Sequence, residues 1–173
     1  EKSLAMNFVS AQKMVEIARN KGLLLMENFM FLYHQQHQLV KQLIKDGYRV
    51  GIMKPISCGP DSENDAILLK NKLKLKDSLD LISPIRHKLP LSPYAASLRL
   101  KQKINLKKIF FAYKKLSKKY DYLLVEGVVC VLVPILEDYF VADLIKDLKV
   151  PTIIVARAGL GTINHALLSI EAL

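Results

Sequence analysis

The sequence contains no tryptophan, only two cysteines and few of the residues that mark flexible chains. The two cysteines, Cys58 and Cys130, cannot build a disulfide framework, so a reducing cytoplasm is the expected compartment. Seven glycines and seven prolines are too few for a low-complexity linker, while 51% hydrophobic residues suffice for a sizeable core. The composition is therefore that of a globular protein.

Long hydrophobic runs and targeting segments are also missing. The longest apolar run, Val128 to Leu136, contains Pro134 and is far shorter than the roughly 18–20 residues of a membrane-spanning helix. No signal peptide and no internal repeat is visible, so we expect one domain, residues 1–173, in the cytoplasm and without a membrane partner. The chain begins with Glu1 rather than Met, which favours a processed, edited or partial sequence.

Acidic residues are scarce in one stretch, and this scarcity creates the net charge of +10. Residues 70–119 hold fifteen Lys and Arg against two acids, Asp77 and Asp80. Such a segment raises nucleic acid as a partner. However, most of these lysines fall on the polar face of a predicted helix or in connections, and no nucleic-acid motif accompanies them. We expect a solvated face and no nucleic-acid partner.

The apolar periodicity predicts alternating helices and strands. The predicted helices cover residues 7–22, 35–46, 65–74, 106–119, 142–148 and 162–173, and the predicted strands cover 23–26, 48–53, 121–125 and 151–156. The strands are continuous apolar runs, which favours an α/β fold with a parallel sheet and helices on both faces, in three layers. Ligands of such sheets bind at the carboxyl ends of strands, where Lys54, Glu126 and residues 159–164 lie.

Several segments together resemble the dethiobiotin synthetase family, which has a P-loop NTPase-like fold. The similar segments are GYRVGIMKP (47–55), NDAILL (64–69), PLSPYAA (90–96), DYLLVEG (121–127), LVP (132–134), ADLI (142–145) and PTIIVARAGLGTINHALLSIEAL (151–173). The resemblance therefore covers residues 45–173. It implies ATP- and Mg²⁺-dependent formation of a cyclic urea from diaminopelargonate and CO2, by a homodimer.

The resemblance also implies roles for individual residues. Lys54 would lie near the carbamate and the terminal phosphate, and Asp65 and Glu126 would bind Mg²⁺. The implied substrate-binding residues are Cys58, which stands where many relatives carry a hydroxyl, and Gly161, Thr162 and Asn164, supplied to the partner subunit's site.

Each role has a plainer alternative. Lys54 could be a solvated surface residue, and Asp65 could be the N-cap of the helix that it begins. The Gly-Leu-Gly-Thr loop, residues 159–162, could be only a tight turn from a strand into a helix. His165 is expected to be a packing residue of that helix.

The resemblance has gaps at the phosphate-binding positions. The family places a G-x-x-x-x-x-G-K-T loop after its first strand, whereas residues 27–36 read ENFMFLYHQQ, without Gly, Lys, Ser or Thr. Residues 128–130 (VVC) replace expected glycines, and the sequence stops at Leu173, before the family's adenine pocket is complete. We therefore expect weak or absent ATP turnover.

Residues 1–44 resemble a different family, the glucose–fructose oxidoreductase/inositol dehydrogenases. The similar segments are EKSLAMN (1–7), AQKMVEIARNKGLLLMENFM (11–30) and HQQHQLVKQLI (34–44). The Gly-rich dinucleotide-binding part is absent, so NAD(P) binding is not expected. The two resemblances predict a chimeric chain or fragment, in which residues 1–44 supply a first strand and helix. A non-catalytic α/β scaffold is the alternative to a synthetase.

Overall fold

The computed structural model describes residues 42–128, 130–155 and 160–173. The chain divides into two compact units, Glu1–Lys45 and Asp46–Leu173. In the first unit the described residues, 42–45, are helical. The predicted helix 7–22, the predicted strand 23–26 and most of the predicted helix 35–46 lie outside the described residues. No helix among the described residues is long and apolar enough to cross a membrane.

The second unit alternates short strands with helices. In chain order its elements are β1 (Val50–Met53), β2 (Ile56–Cys58), α1 (Asp65–Lys72), α2 (Leu79–Ile82), β3 (Ile85–His87), α3 (Pro93–Leu100), α4 (Leu106–Lys119), β4 (Tyr122–Val125), β5 (Pro134–Leu136), β6 (Tyr139–Phe140), α5 (Val141–Leu148) and α6 (Thr162–Glu171). A short 3-10 helix, Asp61–Glu63, precedes α1. The α/β class predicted from the sequence is confirmed.

The described strands pair two by two rather than in the single sheet that the sequence predicts. β1 pairs with β4 and β2 pairs with β3, both in parallel, while β5 and β6 are antiparallel. β1 and β2 are separated only by Lys54 and Pro55. Because proline has no N–H to donate to a sheet, it interrupts the strand there, and the chain changes partner from β4 to β3.

The core lies where α4 packs against the strands. Asn105 begins this helix by accepting a 3.0 Å hydrogen bond from the Lys107 backbone N–H. The helix buries Ile109, Ala112 and Leu116 in one hydrophobic cluster with strand residues that include Met53 and Ile56. Each fully buried isoleucine, leucine or methionine side chain contributes about 1.5–3 kcal/mol. The predicted helix 106–119 is confirmed at both ends.

Tyr120, directly after α4, crosses over β1 at Gly51. A Cβ at position 51 would overlap the Tyr120 ring, which explains why glycine stands in the middle of this buried strand. The Tyr120 hydroxyl donates to the carboxylate of Asp77, which is buried and also accepts from Lys119 Nζ at 2.6 Å. The ring is therefore held on the strand by its polar end.

The predicted strand 151–156 is wrong over its described part. Residues 151–155 have no regular secondary structure and are exposed, with Ile153 73% exposed. An apolar run becomes a strand only when a neighbouring strand satisfies its backbone, and no described strand pairs with it. The helix predicted at 162–173 is confirmed as α6, but none of its residues is buried.

Candidate functional site

Three charged side chains meet at the carboxyl ends of β1 and β4. Lys54 directly follows β1 and Glu126 directly follows β4, so the parallel register places them side by side. The Glu126 backbone N–H donates to the Met53 carbonyl at 2.8 Å, which extends the pairing by one step. Lys54 Nζ donates to Glu126 Oε1 at 2.9 Å and lies 2.8 Å from Asp65 Oδ2.

Lys54 is a buried cation, and the interpretation as a solvated surface lysine is wrong. The residue is 7% exposed, and its backbone N–H donates to the Ile82 carbonyl at 2.8 Å. Burial alone lowers the pKa of Lys54, but the carboxylates of Glu126 and Asp65 outweigh it and raise the pKa above its ordinary value. The ammonium group is therefore charged at neutral pH.

Asp65 begins α1 but does not cap it, so the interpretation of Asp65 as the N-cap is wrong. Asn64 caps the helix: its Oδ1 accepts from the Ala66 N–H at 3.0 Å and from the Ile67 N–H at 3.4 Å. This leaves the Asp65 carboxylate free to approach Lys54 from the first turn, where the helix dipole also favours a negative charge.

A buried hydrogen-bonded chain that the sequence analysis missed lies behind this pair. Asn64 Nδ2 donates to Ser57 Oγ at 3.1 Å, and Ser57 Oγ and Ser83 Oγ are 3.0 Å apart. The one sequence signal was an asparagine directly before a predicted helix, which is typical of an N-cap. Nothing in the sequence pattern connects Ser57 with Ser83.

Cys58 ends β2 and is half-buried with a free thiol, and Cys130 is also free. Burial raises the pKa of the Cys58 thiol, and the charge of Lys54 opposes that shift without reversing it. A thiol of this kind is protonated and weakly nucleophilic at neutral pH. Its predicted role in binding substrate remains a prediction.

The remaining predicted substrate-binding residues open α6. Gly161 is the N-cap, with a φ of 85° that glycine adopts without strain, and Thr162 is the first helical residue. Among the described residues, no hydrogen bond or ion pair joins Gly161, Thr162 or Asn164 to the three charged side chains. His165 is exposed, so its prediction as a packing residue is wrong.

A metal ion fits the donor chemistry of the site in part. Asp65 and Glu126 offer carboxylate oxygens, the ligands that Mg²⁺ prefers, and both approach one point, the Lys54 ammonium. Residues 42–128, 130–155 and 160–173 contain no group of three or more His, Cys, Asp or Glu side chains that could hold a metal. Further ligands would have to come from water or from a bound phosphate.

Three relatives show what the chain is similar to. The ATP-dependent dethiobiotin synthetase BioD of Thermodesulfovibrio yellowstonii is 45% identical over 148 residues, which cover 78% of this chain and 62% of the relative. The enzymes of the same name from Endomicrobium trichonymphae and Methanocaldococcus jannaschii are 44% and 45% identical, each match covering 64% of the relative. The chain thus spans less than two thirds of the length of these relatives.

A family model agrees with these relatives. The model described as an AAA domain (AAA_26) matches residues 38–173, which include both parallel strand pairs and all three charged site residues. The parallel strands and the ligand-edge position of Lys54 are typical of P-loop NTPase-like folds. The chain therefore belongs to this AAA-domain family, within the part of it that resembles dethiobiotin synthetases.

Proposed function

We propose that this chain is a dethiobiotin synthetase-like protein of biotin biosynthesis. Its reaction would be closure of a cyclic urea from diaminopelargonate and CO2 with consumption of ATP. The observation that carries the proposal is the meeting of Lys54, Asp65 and Glu126 at the carboxyl ends of β1 and β4. The 45% identity to relatives with this name supports the substrate assignment.

The proposed chemistry explains why a buried lysine lies at this point. One amine of the substrate takes up CO2 to form a carbamate, a phosphoryl group from ATP activates it, and the second amine displaces phosphate to close the ring. Both the carbamate and the transferred phosphoryl group are anions, so a fixed ammonium at Lys54 stabilises them. Lys54 is already charged, so it can bind these anions without first taking up a proton.

Asp65 and Glu126 are the proposed Mg²⁺ ligands. The ion, when bound, would neutralise phosphate oxygens, and the two carboxylates would fix its position beside Lys54. In its absence the Lys54 ammonium bridges the two carboxylates and offsets their mutual repulsion.

We also propose that turnover by this chain is slow. Residues 27–36 contain no Gly, Lys, Ser or Thr, so they lack the groups with which a phosphate loop holds ATP. Each lost charge-assisted hydrogen bond costs about 1.5–3 kcal/mol, so three would reduce binding or rate by roughly 10³-fold or more.

A homodimer is part of the proposal, with Gly161, Thr162 and Asn164 serving the partner's site. The exposed apolar side chains of α6, Ile163, Leu167, Leu168 and Ile170, support it, because a helix with no buried residue has a large surface to cover.

The test is conversion of diaminopelargonate to dethiobiotin with MgATP and bicarbonate. We expect slow product formation that Lys54→Met lowers at least about 100-fold, since it removes a charge that acts in the transition state. Lys118→Met, on the exposed face of α4, is the matched control and should leave the rate unchanged.

The alternative to a synthetase is a non-catalytic α/β scaffold, which the absence of glycine from residues 27–36 favours. Calorimetric titration with ATP distinguishes the two. No product together with no ATP binding at millimolar nucleotide would contradict the synthetase proposal. A rate equal to that of the full-length relatives would instead contradict the proposed slow turnover.

A further inference from the structure

We propose that Asn64 is a positioning residue, held by a buried chain through Ser57 and Ser83, that fixes the Asp65 carboxylate against Lys54. The catalytic meaning of this arrangement rests on the proposed function. The arrangement itself concerns one ion pair and can be tested without turnover.

Both the oxygen and the nitrogen of the Asn64 side-chain amide form hydrogen bonds. It is 5% exposed, and its Oδ1 accepts from two backbone N–H groups of α1, so its Nδ2 must point the other way, towards Ser57. The 3.1 Å hydrogen bond from Nδ2 to Ser57 Oγ joins the first turn of α1 to β2. A single side chain thus sets both where the helix begins and how it meets the strand.

The hydroxyl protons of the chain can be assigned from their acceptors. Ser83 Oγ lies 3.4 Å from the Ile85 carbonyl, which can only accept, so Ser83 donates there. Ser57 must then donate to Ser83 while it accepts from Asn64. The donors all run in one direction, from the Asn64 amide to a backbone carbonyl, and every member is satisfied although Ser57 and Ser83 are 2% and 0% exposed.

The two serines of this hydrogen-bonded chain lie next to the backbone segments that carry or contact Lys54. Ser57 follows Lys54 by three residues in the same extended segment, and Ser83 follows Ile82, whose carbonyl accepts the Lys54 backbone N–H. The chain therefore links the backbone that carries Asp65 to the backbone that carries Lys54.

The ion pair needs such support because Asp65 is exposed to water. Its side chain is 59% exposed whereas that of Lys54 is 9% exposed. Exposed ion pairs contribute little when their side chains are free to move, since ordering them costs entropy. Because the hydrogen-bonded chain already fixes the start of α1, part of that entropy cost is met before the ion pair forms. The Lys54–Asp65 ion pair should therefore weaken when a hydrogen bond of this chain is removed.

The experiment is a double-mutant cycle between Lys54 and Asp65, measured by urea unfolding of the full chain. The variants are Lys54→Met, Asp65→Asn and the double substitution, made in the wild-type and in altered backgrounds. In wild type we expect a coupling of about two- to fivefold in the unfolding equilibrium constant.

Two substitutions interrupt the hydrogen-bonded chain from Asn64 to Ser83 without removing the cap of α1. Ser57→Ala removes the middle hydroxyl, and Asn64→Ser keeps a capping oxygen that is too short to reach Ser57. In both we expect the coupling factor to fall towards one. Ser57→Thr retains the hydroxyl and should keep the wild-type coupling, and if Ser57→Ala does not fold, Asn64→Ser carries the test.

Asn105→Ala is the control, because the Asn105 side chain also caps its helix, accepting from the N–H two residues on, but is exposed and takes part in no buried hydrogen-bonded chain among the described residues. It should lower overall stability and leave the Lys54–Asp65 coupling unchanged. Wild-type coupling in Ser57→Ala and Asn64→Ser, or no coupling in wild type, would overturn the positioning role.

Kinetic measurements distinguish failure of the positioning role of Asn64 from failure of the proposed synthetase function. If product forms, we expect Asn64→Ser to lower kcat more than it raises KM for the amine substrate. Absence of both product and ATP binding would refute the synthetase proposal, but the double-mutant cycle could still be measured. Normal product formation with lost coupling would show that the positioning does not serve the reaction.

Discussion

His87 is a buried histidine whose environment favours the neutral form. It ends β3 and is 4% exposed, and within the described part of the chain neither ring nitrogen makes a hydrogen bond of good geometry, although the Gln102 side chain lies near the ring. Burial lowers the pKa of His87 below its ordinary value, and the side chain of Gln102 only partly opposes this. The imidazole must therefore lose its proton when the protein folds at mildly acidic pH.

This shift predicts a loss of stability in mild acid. Because the folded-state pKa lies below the unfolded value of 6.5, the unfolded chain takes up a proton first as the pH falls. The free energy of unfolding should therefore decrease below pH 6.5, by at most about 1.4 kcal/mol per pH unit, until the folded-state pKa is passed. Urea unfolding between pH 7.5 and pH 5 measures it.

His87→Phe should remove this component, so the free energy of unfolding of the variant should fall less steeply than that of wild type as the pH is lowered. The exposed His165 supplies the matched control, and His165→Gln should keep the wild-type slope. An unchanged slope in His87→Phe would disprove the assignment.

For single residues, the sequence predicted the charged side chains of the candidate site but not the buried hydrogen bonds behind them. Lys54 and Glu126 could be predicted because each follows an apolar strand at the edge where ligands bind. The predicted helix does begin at Asp65, although its cap is the neighbouring Asn64, and the predicted role of Asp65 as a Mg²⁺ ligand stays a prediction. The chain through Ser57 and Ser83 depends on contacts across 26 residues, which no local pattern contains.

Two helices end in lysines with a left-handed backbone. Lys101 follows α3 and Lys149 follows α5, and each has a φ of 52°. This conformation costs a non-glycine residue about 1–2 kcal/mol, whereas glycine adopts it freely. The helix ends therefore store strain that substitution can relieve.

We predict that Lys101→Gly and Lys149→Gly each stabilise the protein by about 1 kcal/mol, measured by thermal or urea unfolding. Lys114→Gly, within α4, is the matched control and should destabilise it by about 1 kcal/mol, because glycine weakens a helix interior. Destabilisation by both helix-end substitutions would contradict the strained geometry.

Elements with strong periodicity were predicted well and those set by tertiary contacts were not. Helix α4 follows from its apolar spacing alone. Helix α3 lies in a proline-rich stretch that gave no assignment, yet Pro93 takes its first position, where the missing N–H costs nothing. Residues 151–155 have strand composition but, among the described residues, no strand beside them.

The basic charge of residues 70–119 lies largely on exposed side chains. In α4, Lys107, Lys108, Lys114, Lys115 and Lys118 are exposed. The two acids of the basic segment are both paired, Asp77 with Lys119 and Asp80 with Arg86. Lys115 Nζ lies 4.8 Å from the centre of the exposed Phe111 ring and Lys119 Nζ lies 5.2 Å from that of Tyr120, so these two lysines have aromatic neighbours within the protein. The other exposed lysines of α4 form a solvated face.

We therefore predict only weak, sequence-independent attraction to nucleic acid. Binding to a random DNA duplex should be detectable at about 20 mM salt and lost at about 150 mM, since phosphate contacts release counterions. Fluorescence anisotropy over a salt series measures this. Binding that persists at 150 mM salt would restore the nucleic-acid hypothesis.

Strand β1 has a basic residue at each end and strand β4 an acidic residue at each end, which affects which strands can pair. Arg49 and Lys54 flank β1, Asp121 and Glu126 flank β4, and both ion pairs join residues 72 apart. Two copies of β1 brought together in either direction would place cation against cation at both ends, and two copies of β4 would place carboxylate against carboxylate. Of these three pairings, only that of β1 with β4 places opposite charges together at both ends. The charges that flank the two strands therefore favour the native pairing over pairing between two copies of the same strand.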